Sequence, residues 1–411
     1  MALHSLYVDL NSFFASVEQQ LRPELRGRAV GVLPVMADTT CCIAASIDAK
    51  RFGVRTGTPV WQAKKLCRDI VFVQARPAVY VEIHHRIVAA VESCTPVGEV
   101  LSIDEMACEL MGSEREEARA VALGKRIKQA IYTQVGEVLH SSVGIAPNRF
   151  LAKTASNMQK PDGLIVIRQD ELPQRLYGLK LGDLNGIGRA MEQRLNQLGI
   201  HSVEQLCTAS KATLRRAWGG IEGERYYAKL RGEVLASAPT QRSSVGHSHV
   251  LAPELRDPAS ALAVLFRLLH KAAMRLRHYG CCAGSLRLHL SYLSPDAGRA
   301  RWADQARFAP HADTLRFNPM LAELWQRRPP DPGPILKVGV VLGELVERRQ
   351  ATRDLFDPED RHQPLNDVLD RINQRYGPNT LYFGGAHKGR GAAPMRIAFS
   401  HVPELQLESD G

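Results

Sequence analysis

The chain has 411 residues, 45% of them hydrophobic, with a formal net charge of +10. That length exceeds one simple core and implies roughly two to four domains, and the apolar content argues against wholesale disorder. The basic surplus suits an acidic polymer as partner, no apolar run is long enough to span a membrane, and no C-x-x-C pair suggests zinc. The adjacent pairs Cys41-Cys42 and Cys281-Cys282 read as reduced and structural, in an intracellular protein without a signal peptide.

Residues 5–9 read as a buried strand ending at Asp9, followed by a helix from Ser12 to Leu21 with Pro23 beyond it. Val30–Leu33 and Cys42–Ala45 read as strands, Asp48 to Phe52 as a short helix ended by Gly53, and Thr56-Gly-Thr-Pro59 as a turn. A helix is predicted over Tyr80 to Ser93. Residues 97–103 and 106–110 then form a hairpin with Asp104-Glu105 near its turn. Ser113 and Glu116 make a capping-box pattern for a helix that places Leu123, Ile127, Ile131 and Val135 on one face. Residues 140–146 read as a strand and Arg149–Met158 as a helix.

From Asp183 the pattern changes. Leu184 to Leu195 looks like a helix-hairpin-helix, whose Gly186-Ile-Gly188 turn lets the backbone approach a phosphate. Short helices are predicted at Ser202–Leu206 and Lys211–Trp218, and a polar linker over 236–242. Residues 243–250, 285–292 and 336–342 read as strands, Ala259–His278 and Asn318–Trp325 as helices. Leu286, Leu288 and Leu290 alternate with Arg287 and His289, the period of a strand with one solvated face. In the tail, Leu365–Arg375 reads as a helix and the glycine-rich 384–393 as mobile.

Chemistry concentrates at two strand ends, Tyr7-Val-Asp-Leu10 and Ser102-Ile-Asp-Glu105. Three carboxylates that converge can hold hard cations, and two such cations serve phosphoryl transfer. The stretches Asp9 to Glu18, Ser102 to Glu105, Gly144 to Ser156 and Lys160-Pro-Asp-Gly163 occur in this order. On them the chain resembles the Y-family, or translesion, DNA polymerases, sharply over residues 1–200 and more loosely to about 345. The N-terminal half is like the polymerase IV branch. Asp48-Ala-Lys50 and the tail helix lean toward the catalytic subunit of polymerase V.

The resemblance implies an α+β, multidomain right hand. Its palm would span 1–10 and 77–165, its fingers 11–76, a helical thumb 166–235, an α/β little finger 243–345, and a tail 346–411. It implies helices on one face of the palm sheet. It implies two Mg2+ ions bridged by Asp9 and Asp104, with Glu105 on the ion nearest the primer end and the carbonyl of Leu10 as a further ligand. Lys50 and Lys160 would hold the triphosphate, while Ile47 stands where the family often has a tyrosine and cannot donate a hydrogen bond. Phe14 would be the steric gate; Phe13 is counted with it among the nucleotide-binding residues, although a core phenylalanine describes it better. Cys41, Ile43 and Gly57 would roof the nascent base pair.

Gly186, Gly188, Arg287, Arg301 and Arg316 would meet the DNA. The partners implied are primer–template DNA, deoxynucleoside triphosphates and, through Gln350, Leu355 and Phe356, a sliding clamp. The protein is expected to act as a cytoplasmic, nucleoid-associated monomer. Two rival readings are a non-catalytic DNA-binding scaffold, which should lack the acidic triad, and a structure-specific nuclease, which would need neither Phe14 nor Lys160-Pro-Asp-Gly163.

Overall fold

The structure, a computed structural model, describes residues 3–236, 241–294, 298–330, 333–351, 362–392, 395 and 402–404. Leu355 and Phe356, and most of the linker expected over 236–242, lie outside the described residues. In chain order the first half runs β1 (Ser5–Leu10), α1 (Phe13–Leu21), β2 (Val30–Leu33), β3 (Ala44–Ala45), α2 (Ile47–Arg51), α3 (Val60–Leu66) and β4 (Val71–Gln74). It continues through α4 (Pro77–Glu92), β5 (Glu99–Val100), β6 (Glu105–Glu109), α5 (Glu117–Gln134), β7 (Ser141–Ala146), α6 (Arg149–Met158) and β8 (Leu164–Val166).

Strand β1 is the middle of a five-stranded sheet of order β5-β6-β1-β7-β8 and runs antiparallel to both neighbours. Successive strand residues face opposite ways, so β1 feeds two cores. Leu6 and Val8 pack with Ile83 and Ile87 of α4 and Leu123, Ile127 and Ile131 of α5. Tyr7, on the other face, packs with Leu151, Ala152 and Ala155 of α6. Burial of each such large side chain is worth roughly 1.5–3 kcal/mol. Helices therefore cover both faces, not one: α6 turns back because Asn148 caps it, its side-chain oxygen accepting from the Leu151 amide at 2.8 Å. The expected boundary after residue 10 does not separate two cores either, since α1 buries Phe13, Phe14, Ala15 and Val17 with the apolar side of β1.

The three strands β3-β2-β4 make a small separate sheet. A helical unit follows, with α7 (Arg189–Gln197), α8 (Val203–Thr208), α9 (Lys211–Trp218) and α10 (Ile221–Lys229) around Leu184, Ile187, Leu195 and Tyr226. Next come β9 (Ser244–Val250), α11 (Pro258–His278), β10 (Cys281–Ser294), β11 (Gly298–His311), α12 (Thr314–Gln326) and β12 (Ile335–Glu347), with sheet order β11-β10-β12-β9. Leu286, Leu288 and Leu290 of β10 meet α11 and α12 on one side, as their alternation implies.

The tail does not behave as read from its glycines. Helix α13 (Gln363–Tyr376) docks through a bidentate pair from Arg277 to Asp370, at 2.6 and 2.7 Å. A 3-10 segment, Gly384–Gly389, then packs on α11. A Cβ on Gly389 would stand 2.8 Å from the Ala263 backbone, so this glycine serves close approach rather than mobility. Met395 is buried with the core beneath β1.

Candidate active site

Asp9 and Glu105 are direct partners across β1 and β6, so the register of one strand pair brings their side chains to the same face. Asp104 sits in the turn before β6; its carbonyl accepts from the Leu10 amide at 2.9 Å, which ties the two strand tips together. Its carboxylate accepts from Ser102 Oγ at 2.6 Å, yet burial pushes its pKa up to about 6. Desolvation outweighs both that hydrogen bond and the pull of the Lys153 charge, and a carboxylate whose charge is so disfavoured suits a position that takes a further positive partner.

Two lysines supply positive charge nearby. Lys153 of α6 contacts both Asp9 and Glu105, and Lys160 Nζ lies 2.7 Å from Asp9 Oδ2. Burial works against the Lys153 ammonium, but Asp9 and Glu105 outweigh it and hold its pKa above the ordinary lysine value. Lys50, on α2, comes close enough that burial and the charge of Lys160 depress its pKa, against the opposing pull of Asp9. Lys50 and Lys160, the expected pair, thus feel each other's charge, and Lys160 also contacts Asp9.

Among the described residues no three His, Cys, Asp or Glu side chains converge as a ready ligand cage. The donor set nevertheless fits a hard cation: it is all oxygen, and an ammonium nitrogen already stands between Asp9 and Glu105.

Several positions in this site were not singled out from sequence. Tyr7 donates its hydroxyl to Glu105 Oε2 at 2.7 Å; its signal was its place two residues before Asp9, hence on the same strand face. Asn11 bonds Ser142 Oγ at 3.0 Å and accepts from the Asp162 amide at 2.8 Å, so it fixes the loop that carries Lys160. His84 holds the Ile103 carbonyl at 2.7 Å from behind the Asp104 turn. Burial pushes its pKa down to about 4, so it is neutral and donates from Nδ1. Nothing in the spacing of α4 announced that contact.

Phe14 is 5% exposed and stacks on Tyr80 with ring centroids 4.5 Å apart; Phe13 is 3% exposed. Burial alone therefore does not separate the two rings. Tyr80 in turn donates to Glu18 at 2.8 Å, and Arg76 grips the same carboxylate, so the stack is held from behind. Cys41 and Ile43 are half-buried; Gly57 is exposed and takes a left-handed φ of +88° in its turn.

Cys41 also lines a cavity of about 340 Å³ shared with His289, Arg301 and Lys337 of the second large sheet. Arg301 and Lys337 both lie across from Ser291, and Arg287 is exposed on that same open face. Arg316 is different: it sits on α12, on the helical side, and does not share a surface with Arg287 and Arg301. In the helical unit, Gly186 has φ +87° and Gly188 is the N-cap of α7. Tyr226 pins that hairpin by donating to the Asn185 carbonyl at 3.1 Å.

Three family models match in order: impB/mucB/samB family over residues 8–157, the thumb domain of DNA polymerase-iota over 182–233, and the impB/mucB/samB C-terminal domain over 242–355. DNA polymerase IV of Moorella thermoacetica is 32% identical over 394 residues, covering 94% of this chain and 96% of that protein. DNA polymerase IV 1 of Bacillus subtilis is 30% identical over 403 residues, covering 93% and 92%. Among solved structures, a Y-family DNA polymerase chimera of Dbh and Dpo4 superposes with a TM-score of 0.68 at 25% identity, covering 84% of this chain and 99% of that one. An insertion ternary complex of Dbh DNA polymerase gives 0.54 at 25% identity, covering 83% and 98%. Carried by full-length relatives and by matches that follow the chain from strand β1 to strand β12, the assignment is direct: this chain belongs to the Y-family DNA polymerases.

Proposed function

We propose that the chain is a template-directed DNA polymerase that performs translesion synthesis, adding deoxynucleotides to a primer 3′ end, with Asp9, Asp104 and Glu105 as its acidic centre. The observation that supports the residue assignment is the pairing of Asp9 with Glu105 across β1 and β6, bridged by the Lys153 ammonium, with Asp104 tied to the same strand tips through the Leu10 amide. Asp9, Asp104, Glu105 and the carbonyl of Leu10 would hold two Mg2+ ions. Divalent cations in such a site lower the pKa of an attacking hydroxyl and neutralise a departing pyrophosphate.

The chain's own groups supply the rest. Lys50 and Lys160 take the triphosphate, each as a point charge. Asn11 holds the 160–163 loop, so that Lys160 meets the phosphates from a fixed position. Phe14 stands beside the sugar, where a ring excludes a 2′-hydroxyl and offers it no hydrogen bond. Cys41, Ile43 and Gly57 cover the base pair. Gly186, Gly188, Arg287 and Arg301 hold the DNA backbone without reading sequence. The exposed, cationic face of β10 and β11 supports that role for the two arginines and gives none to Arg316.

Among the described residues no helix is long and apolar enough to cross a membrane. The reading is of a monomer working in the cytoplasm at the nucleoid. Recruitment by a sliding clamp through Leu355 and Phe356 belongs to it as a proposal from sequence alone.

Primer extension on undamaged and abasic templates, with and without Mg2+, tests the reading. Mg2+-dependent addition of nucleotides on both templates supports it. Binding without extension indicates the scaffold, and shortening of the primer the nuclease.

A further inference from the structure

Glu105 is held at both carboxylate oxygens: Lys153 takes Oε1, and the Tyr7 hydroxyl donates to Oε2 at 2.7 Å. The second contact follows from strand geometry. Tyr7 lies directly across from Ala107, and Glu105 is its diagonal neighbour on the same face. An alanine opposite leaves the ring free to lean along β6, and diagonal neighbours are within reach of aromatic side chains. The ring itself is enclosed. Tyr7 is 4% exposed, packed between the sheet and α6, with the Lys153 ammonium 5.0 Å from its centroid. A tyrosine hydroxyl at neutral pH is a donor, and an ionised carboxylate only accepts, so the bond has one polarity.

We propose that Tyr7 is a positioning residue for the ion site: its hydroxyl fixes the rotation of the Glu105 carboxylate so that Oε1 faces Asp9. The proposal rests on the reading of Glu105 as a metal ligand. Without the hydroxyl, Glu105 keeps its charge and its Lys153 contact but is held at one oxygen only, so it gains rotamers that turn the carboxylate from Asp9, and an ion must then select the competent one. Groups that orient a metal ligand commonly change ion affinity by about ten-fold or more when removed. Asp9 and Asp104 are untouched by the change, so the loss should fall on ion binding rather than on the bound enzyme.

The test is Mn2+ binding by calorimetry to the full chain with primer–template bound, for the unaltered protein, Tyr7→Phe, Glu105→Gln and the double variant. Tyr7→Phe keeps the buried ring, and thermal unfolding of each variant checks that it folds. The expected result is about a ten-fold loss for Tyr7→Phe, with no further loss when it is added to Glu105→Gln. A companion titration of extension against Mg2+ should show a raised half-saturating concentration with the rate at saturation largely kept. Tyr7→Phe binding Mn2+ like the unaltered protein, or losing as much again in the Glu105→Gln background, would overturn the proposal. Unchanged binding by Glu105→Gln would instead overturn the ligand reading beneath it.

Discussion

The palm sheet and the little-finger sheet both carry charge on alternate strand positions, and they treat it in opposite ways. In the palm, α6 lies over the charged row: Asp9 is 3% and Lys153 9% exposed, and each needs the other. In the little finger the helices take the apolar side, and Arg287 and Arg301 remain exposed on the open one. Covered charge becomes a fixed instrument, expensive to disturb. Open charge is cheap, replaceable and screened by salt.

The comparison breaks first at single ion pairs. Lys153→Met leaves Glu105 without its cation and Asp9 with Lys160 alone, in a covered site. It should cost about 3 kcal/mol in unfolding free energy without divalent ions, much of it regained on adding Mg2+. Arg307→Met removes a solvent-exposed partner of Glu344 and should cost under about 0.5 kcal/mol. Denaturant titrations of the two variants measure the contrast; equal losses would remove it.

Acid should strike both regions alike. Burial pushes His84 behind the palm and His270 on α11 down to about 4. Both are neutral in the fold and take a proton first when unfolded. Their contribution is therefore complete above about pH 6.5 and falls as pH drops toward 4, by up to about 3 kcal/mol for His84, while Asp104, pushed up to about 6, works in the opposite sense in the palm. Unfolding of His84→Asn against pH should show a shallower decline; an identical slope would exclude His84 as a source.

How much of this was legible in sequence follows the same division. Motifs on one short element were readable: α6 matches its expected bounds because Asn148 supplies a local cap and Arg149–Met158 is one periodic run. The start of α5 was not. Ser113 lies in a 3-10 turn, where Glu114 accepts from the Met111 amide, and the helix begins at Glu117. Strand β11 went unplaced because its inner row is weakly apolar: Trp302, Asp304 and Ala306 face the same side as Leu290, Leu288 and Leu286. Tyr7 against Glu105 and His84 against Ile103 are contacts between elements far apart in the chain, and no local pattern encodes them. The tail misled for a related reason. Glycine reads as freedom until a neighbouring helix is known to need the space.

The next effect concerns the sugar. Phe14→Ala should raise ribonucleotide relative to deoxynucleotide insertion about ten-fold, the loss of roughly 1.4 kcal/mol of discrimination. Matched single-nucleotide insertions on one template read the ratio. No change, in a variant that still extends DNA, would make Phe14 a packing residue of the Tyr80 stack alone.

The smallest effects belong to the open face. Arg287→Ala and Arg301→Ala should each weaken primer–template binding a few-fold, equally for all sequences, and each lower the salt slope by about one. Arg316→Ala should do neither. A loss at Arg316 matching the others would show that DNA reaches the helical side.

The most direct test is of the acidic centre. Asp104→Ala is to be assayed for primer extension in Mg2+ and, in the same preparation, for primer–template affinity. The account expects extension to fall by about a thousand-fold or more, at least roughly 4 kcal/mol, with DNA affinity nearly unchanged. Near-normal extension by Asp104→Ala would contradict it.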